Sequence, residues 1–377
     1  MPVTAEQLTS LLAQVSFPVK RLWIAYSGGV DSHVLLHCCT KYRSELPELA
    51  GAIHVHHGLS ANADPWEQQC HQTCEQLGIP LVVCQVELSA GEGLEDSARR
   101  ARYEAIIAIL QPGDVVLLAQ HQDDQAETFL LQALRGAGPQ GLAAMPRVAA
   151  LGEGGLARPL LEVNREAILE YAGANHLNWI DDESNLDLRF ERNFLRHQVM
   201  PKLTERWPAA NRTLARAAAH TAGLVHIADE LLHDELEGIG GSRPNTLSIS
   251  ALKSLSSVRA SLLIRALCQK QQLAMPATVH IEELLHKQLH ADASRQILVN
   301  WPGAEIRRFQ DDLYIQQPMP PVPASDWEYE WSGMHALDIP ELHGRLMLQP
   351  RHGSGIRQSL VKAGLMVKPR GGGEYCQ

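Results

Sequence analysis

Short apolar runs alternate with helix-period segments through the first third of the chain. Residues 22–26, 52–56, 81–86 and 115–119 have the length and apolar content of buried strands. Helical patterns fall between and after them, near residues 32–42, 65–77, 94–110 and 123–134. Gly51, Gly78-Ile79-Pro80 and Pro112-Gly113 mark where the chain leaves its helices. Strands separated by helices of this length predict an α/β domain built on a doubly wound parallel sheet. In such sheets ligands sit beyond the carboxyl ends of the strands. The turn after residue 26, the His54–His57 run and Gln120-His121 therefore share one predicted crevice. Beyond about residue 216 the pattern changes: residues 221–237, 257–272 and 281–289 read as helices of a small helical domain. Pro318 to Pro323 holds four prolines in six residues, a stiff linker that excludes helix and central strand. Residues 346–348 begin an expected β-rich module. The boundaries expected are 1–216, 217–317 and 318–377.

Composition narrows the class. A chain of 377 residues is long enough for two or three domains, and 45% hydrophobic with 20% charged residues suits a globular protein. No apolar run approaches a membrane span, and the first residues lack a basic segment followed by an apolar one. A cytoplasmic protein with no membrane association is expected. Seven scattered cysteines fit free thiols in a reducing compartment. Neither Cys70 with Cys74 nor the His54–His57 run completes a four-ligand metal spacing. The net charge of −10 disfavours a general nucleic-acid binder, yet basic residues cluster locally. Seven fall between Arg189 and Arg216, against Glu191 and Glu205, and six lie beyond His343 against Glu374. Such islands on an acidic protein suit selective phosphate contact, and a solvated helix face explains the same charges.

The chemistry begins at Ser27-Gly28-Gly29-Val30-Asp31-Ser32, between a strand and a helix. Unpaired N–H groups and the helix dipole make such a turn an anion site. Two glycines permit close backbone approach, and Ser27 and Ser32 add hydroxyl donors. Asp31 opposes an anion unless a cation lies between them, which points to magnesium. A Walker loop is excluded because the chain has no Gly-Lys pair. Gly136–Gly141 spells a dinucleotide fingerprint, but it follows a helix and contains Pro139. A second set, His121, Asp124 and Glu127, is spaced by three, so a helix starting near residue 123 aligns them along one edge. Helix capping explains carboxylates there as well. Arg99 and Arg102 share a helical face beside Tyr103, suited to phosphate or a charged leaving group.

The loop SGGVDS resembles the pyrophosphate loop of the N-type ATP pyrophosphatases (PP-loop proteins). With HVHHGLSANAD, the His121–Glu127 set, RGAGPQGL, DDESN and RNFLRHQVMPKL, residues 22–207 resemble the tRNA(Ile)-lysidine synthetase family, and the likeness continues more weakly through the helical domain. That resemblance implies a ligase that adenylates C2 of the wobble cytidine of a CAU-anticodon isoleucine tRNA with ATP and magnesium, releasing pyrophosphate. Free L-lysine then displaces AMP to give lysidine, changing the decoding from methionine to isoleucine. It implies a catalytic domain over 1–216, a tRNA-binding or substrate domain over 217–317, and compatibility with a homodimer. The turn Ser27–Ser32 would hold pyrophosphate and Asp31 magnesium. Asp124 and Glu127 would bind lysine and take its proton with His121 nearby, which of the three contacts lysine being left open. Arg99 or Arg102, with Arg192 and Arg196, would neutralise phosphate charge, and Arg192, Asn193 and Arg196 would meet tRNA. Relatives usually continue from a region like VKAGLMVKPRGGGEYCQ into a basic segment and further strands, so an incomplete C-terminal module is expected. Two other readings follow: an ATP- and tRNA-binding module without productive modification, and a PP-loop tRNA thiolase, although the chain lacks a Cys-x-x-Cys pair.

Overall fold

A computed structural model describes residues 2–56, 58, 62–86, 94–288, 297–319, 327–342, 344–350, 355–362 and 364–369. The chain forms two compact units, Met1–Glu230 and Leu231–Gln377.

The first unit opens with helix α1 (Ala5–Leu12), capped by Thr4. It then runs β1 (Arg21–Ala25), α2 (Val30–Lys41), β2 (Glu48–His56), α3 (Ala63–Leu77), β3 (Leu81–Gln85), α4 (Leu94–Ile109), β4 (Asp114–Leu117) and α5 (Gln122–Leu134). After α6 (Pro139–Leu142), a hairpin of β5 (Val148–Leu151) and β6 (Gly154–Ala157) precedes α7 (Arg165–Ala174). The six strands lie in the order β3-β2-β1-β4-β6-β5. Five are parallel, and β5 pairs antiparallel at the edge. Side-chain alternation divides each strand between two cores. Leu22 and Ile24 of β1, with Val115 and Leu117 of β4, pack with α1, α2 and α7. Trp23, Ala25, Val116 and Leu118 face the other way, against Ile106 and Leu110 at the end of α4. Helices thus cover both faces, as the doubly wound expectation requires. After β1 the sheet grows to one side, through β2 and β3, and then resumes beyond β1 at β4. The carboxyl ends of β1 and β4 therefore flank the switch point where ligands of such sheets bind.

A helical run follows: α8 (Glu191–Phe194), a π-turn over Leu195–Val199, and α9 (Met200–Arg206). Pro201 accounts for the wide turn, since it has no N–H and its ring would strike the carbonyl four residues earlier in a regular helix. Helix α10 (Ala210–Gly238) begins in the first unit.

The second unit is not purely helical. Strand β7 (Thr246–Ser248), helices α11 (Ile249–Lys253), α12 (Ser257–Lys270) and α13 (Thr278–Glu282), and strands β8 (Leu298–Trp301), β9 (Ala304–Phe309) and β10 (Asp312–Gln316) make a helical layer on a four-stranded antiparallel sheet, ordered β7-β10-β9-β8. Their shared core includes Leu252, Ile264, Leu267, Leu284, Val299, Trp301, Ile306 and Leu313. Short pairs follow: β11 (Tyr329–Trp331) with β14 (Leu365–Val367), which follows helix α14 (Gln358–Lys362), and β12 (Leu337–Ile339) with β13 (Gly344–Leu346). Of the proline-rich linker, residues 320–326 lie outside the described residues, as do residues 370–377 of the terminal segment. No helix among the described residues is long and apolar enough to cross a membrane.

Candidate active site

The turn after β1 is held by its own hydroxyls. Ser27 N–H donates to Ser32 Oγ (3.2 Å), Ser32 Oγ–H donates to the Gly29 carbonyl (2.9 Å), and Ser27 Oγ lies 3.1 Å from Ser32 Oγ. Gly29 is the N-cap of α2, so the first N–H groups of a twelve-residue helix open onto the turn with no partner in the preceding turn. Gly28 has φ +86°, and a Cβ there would overlap Ile180 Cδ1 and lie 3.0 Å from Cys70 Sγ. Ile180 N–H donates to the Gly28 carbonyl (3.0 Å), fixing the turn from behind. Only glycine suits both the dihedral and the space.

Asp31, in the first turn of α2, reaches toward the start of α5. His121 Nε2 lies 3.7 Å from Asp31 Oδ2 and 3.5 Å from Asp124 Oδ2. His121 is buried, and its Nδ1 has no hydrogen-bond partner among the described residues. Asp31 Oδ1 is also buried and has no hydrogen-bond partner among the described residues. Loss of hydration raises the pKa of Asp31 above the ordinary aspartate value, against the opposing pull of His121, Arg165 and Arg196. An orphaned carboxylate oxygen beside an anion-binding turn is the donor type that magnesium takes, so Asp31 fits that ion.

Asp124 caps its own helix through Oδ2, which accepts from the His121 N–H (3.0 Å). Its Oδ1 accepts from Arg192 Nη2 (3.2 Å) and Arg196 Nη2 (2.8 Å). Glu127 is 3% exposed and enclosed by the same guanidinium groups. Arg196 Nε donates to Oε1 (2.7 Å), while Arg196 Nη2 (2.8 Å) and Arg192 Nε (3.0 Å) share Oε2. Burial would raise the pKa of Asp124, but His121, Arg192 and Arg196 outweigh it and hold the carboxyl below its usual range. The same carboxylates raise that of Arg196 against desolvation. The i,i+4 spacing of Arg192 and Arg196 puts both on one helical face, so two facing helix starts assemble the network.

The structure thus brings together Asp31, His121, Asp124, Glu127, Arg192 and Arg196. Asn193 does not join them: its Nδ2 donates to the Ser184 (2.8 Å) and Asp187 (3.0 Å) carbonyls and ties down the preceding loop. Arg99 lies over the Tyr103 ring, 5.0 Å from its centroid, and burial, with the like charges of Arg99 and Arg192, lowers the pKa of Arg102 against the pull of Tyr103. Arg165, which the sequence reading did not single out, stands at the first position of α7 and acts on Asp31. A cation there opposes the helix dipole, and that placement was its legible signal. Away from the site, His54 Nδ1 lies 3.0 Å from the Tyr26 carbonyl and 3.6 Å from Cys70 Sγ, while His57 is outside the described residues. Burial pushes the Cys70 thiol up to about 12 and Cys74 to about 11, so neither is a ready thiolate.

Residues 2–203 match the PP-loop domain family, and residues 247–314 match the TilS substrate binding domain. Among curated relatives, the tRNA(Ile)-lysidine synthase of Coxiella burnetii is 37% identical over 356 residues, spanning 94% of this chain and 79% of that protein. Those of Alkalilimnicola ehrlichii and Vibrio cholerae are each 40% identical, spanning 96% and 90% of this chain and 81% and 77% of theirs. The chain belongs to the tRNA(Ile)-lysidine synthase family. Within that family's PP-loop domain, the Ser27–Ser32 turn and the network at the start of α5 face one another across the β1/β4 switch point.

Proposed function

We propose that this chain ligates L-lysine to C2 of the wobble cytidine in the CAU-anticodon isoleucine tRNA, with ATP as the activating substrate. The observation carrying this reading is Asp31, which touches both halves of the site from the first turn of α2. In the first step the C2 oxygen attacks the α-phosphorus in line, and pyrophosphate leaves into the N–H groups and hydroxyls of Ser27–Ser32. Positioning and charge stabilisation carry that step. Magnesium held by Asp31 would supply positive charge to the phosphates. Arg99, Arg102 and Arg165 add positive charge around them. In the second step the neutral ε-amine attacks C2 and AMP departs with the C–O bond pair.

Asp124 and Glu127 attract the lysine ammonium, while Arg192 and Arg196 keep both carboxylates in place. A carboxylate held below its usual range, as Asp124 is, makes a weak base. His121 faces both aspartates through Nε2, and its Nδ1 has no hydrogen-bond partner among the described residues, so its imidazole is assigned as the acceptor of the proton that the amine must lose. The exposed basic residues Lys202, Arg206, Arg212 and Arg216, with exposed Trp207 beneath the Arg206 guanidinium, form the tRNA-facing surface of the first unit. This reaction belongs in the cytoplasm, with tRNA and free lysine.

The test is transfer of labelled lysine to the isoleucine tRNA transcript by purified protein and ATP. Transfer that depends on all three supports the reading. ATP and tRNA binding without transfer would leave a binding module, and sulfur incorporation would make the chain a thiolase.

A further inference from the structure

Arg158 follows β6 at the carboxyl end of the sheet and is 4% exposed. Its hydrogen bonds go to neutral groups. Nε donates to Gln120 Oε1 (3.1 Å), Nη1 to the Pro146 carbonyl (2.7 Å) and Nη2 to Tyr103 Oη (3.3 Å). Among the described residues no carboxylate forms an ion pair with it. Desolvation and the like charge of Arg99 both disfavour its charged form, and Tyr103 offsets them in part. An arginine nevertheless stays protonated, so the fold keeps a buried charge that an apolar side chain of similar size would spare it.

What the guanidinium provides is a rigid planar fork with three separate attachments. Gln120 directly precedes His121. Tyr103 carries Arg99 on its ring and sits next to Arg102 in α4. Pro146 leads into the edge hairpin. One side chain therefore joins the residue before the α5 network to the arginine face of α4.

We propose that Arg158 is a positioning residue for the adenylation step. It fixes the distance between the Arg99/Arg102 face and the His121 end of β4, so that phosphate charge and the attacking base meet in one geometry. The inference rests on the lysidine reading, and its role is exerted through Tyr103 and Gln120, not by contact with substrate. Lysine cannot replace it, because an ammonium on a flexible stem does not reach three divergent acceptors in one plane.

The experiment compares Arg158→Leu, Arg158→Lys, Tyr103→Phe and the Tyr103→Phe/Arg158→Leu double variant with the wild type. Three quantities are read: tRNA-dependent ATP–pyrophosphate exchange, melting temperature, and amide protection. Expected for Arg158→Leu is a melting temperature no lower than wild type and selective loss of protection at residues 99–103 and 119–121. Its kcat should fall at least about tenfold, with the KM for ATP nearly unchanged. Arg158→Lys should share that kcat loss despite its retained charge. Tyr103→Phe keeps the ring and fold, lowers kcat less, and should add nothing to Arg158→Leu. Unchanged kcat, rescue by lysine, or additive effects in the double variant would overturn the proposal. So would a lower melting temperature with protection lost evenly across the unit, which marks a structural role alone. Failure of wild-type lysine transfer would instead sink the lysidine reading, and the protection pattern would still decide whether Arg158 joins the two elements.

Discussion

Asp31 is held where water is scarce and its charge is least comfortable. Its raised pKa means that the folded state binds more protons than the unfolded chain between the ordinary value of 3.8 and the folded value. Stability therefore declines as pH rises through that window, and the penalty is complete above it. Asp31→Asn should melt higher than wild type at neutral pH, with the difference closing as pH falls toward about 4. The same variant should lose tRNA-dependent exchange, and equal melting at both pH values would mean that desolvation is not what raises this group. Asp124 has the opposite sign: its contribution is present above the usual aspartate range and is lost as pH falls through its lowered pKa. Arg196→Ala would leave Glu127 buried with Arg192 as its remaining guanidinium partner. A loss of about 2 kcal/mol is expected in denaturant unfolding at neutral pH. Glu127→Gln removes the charge but keeps the shape, and should raise the KM for lysine more than that for ATP; unchanged lysine kinetics would remove Glu127 from lysine recognition.

At the scale of elements, the anion turn depends on one backbone position. Gly28→Ala must adopt a left-handed conformation and displace Ile180, at a combined cost of about 2 kcal/mol. Calorimetry should show weaker ATP binding than the stability loss alone explains, because the turn itself is moved. Pro201→Ala should let the turn over Leu195–Val199 close toward regular helix, slowing amide exchange there; no change would assign the wide turn to packing instead. The strands and helices of the first unit were legible because β1 to β4 are short, mainly apolar runs and the helices between them end at glycine and proline. The β5–β6 hairpin was not, since Gly154 and Gly155 make an apolar run look like a loop. In the second unit, β9 contains Glu305, Arg307 and Arg308, and its charge hid a strand. Arg307 pairs with buried Glu305 within β9, and Gln316 Nε2 donates to the same carboxylate only once β10 has paired beside it. The turn at Pro302-Gly303, with Gly303 at φ +88°, was a hairpin signal in plain view.

At the scale of the whole molecule, the site is an encounter between distant segments. The loop near residue 28, the network near 121–127 and the arginines near 192–196 were each visible as motifs. Their mutual pairing was not, because spacing along a chain says nothing about which cation faces which carboxylate. A net charge of −10 must also coexist with an RNA substrate, so binding should rely on local basic surface. Replacing Arg206, Arg212 or Arg216 singly by Gln should weaken tRNA binding and flatten its logarithmic salt dependence by up to about one unit each. An unchanged slope would move the interface elsewhere.

The contact between Gly28 and Ile180 has a consequence for synthesis on the ribosome. Strands β1 to β4 can pair while the chain is still emerging, but the turn lacks its backing until residue 180 has been made and docked. Nucleotide capture is therefore a late acquisition of the nascent chain. A ribosome-stalled chain that exposes residues up to 150 should form sheet and bind ATP poorly, whereas one that exposes residue 207 should bind it.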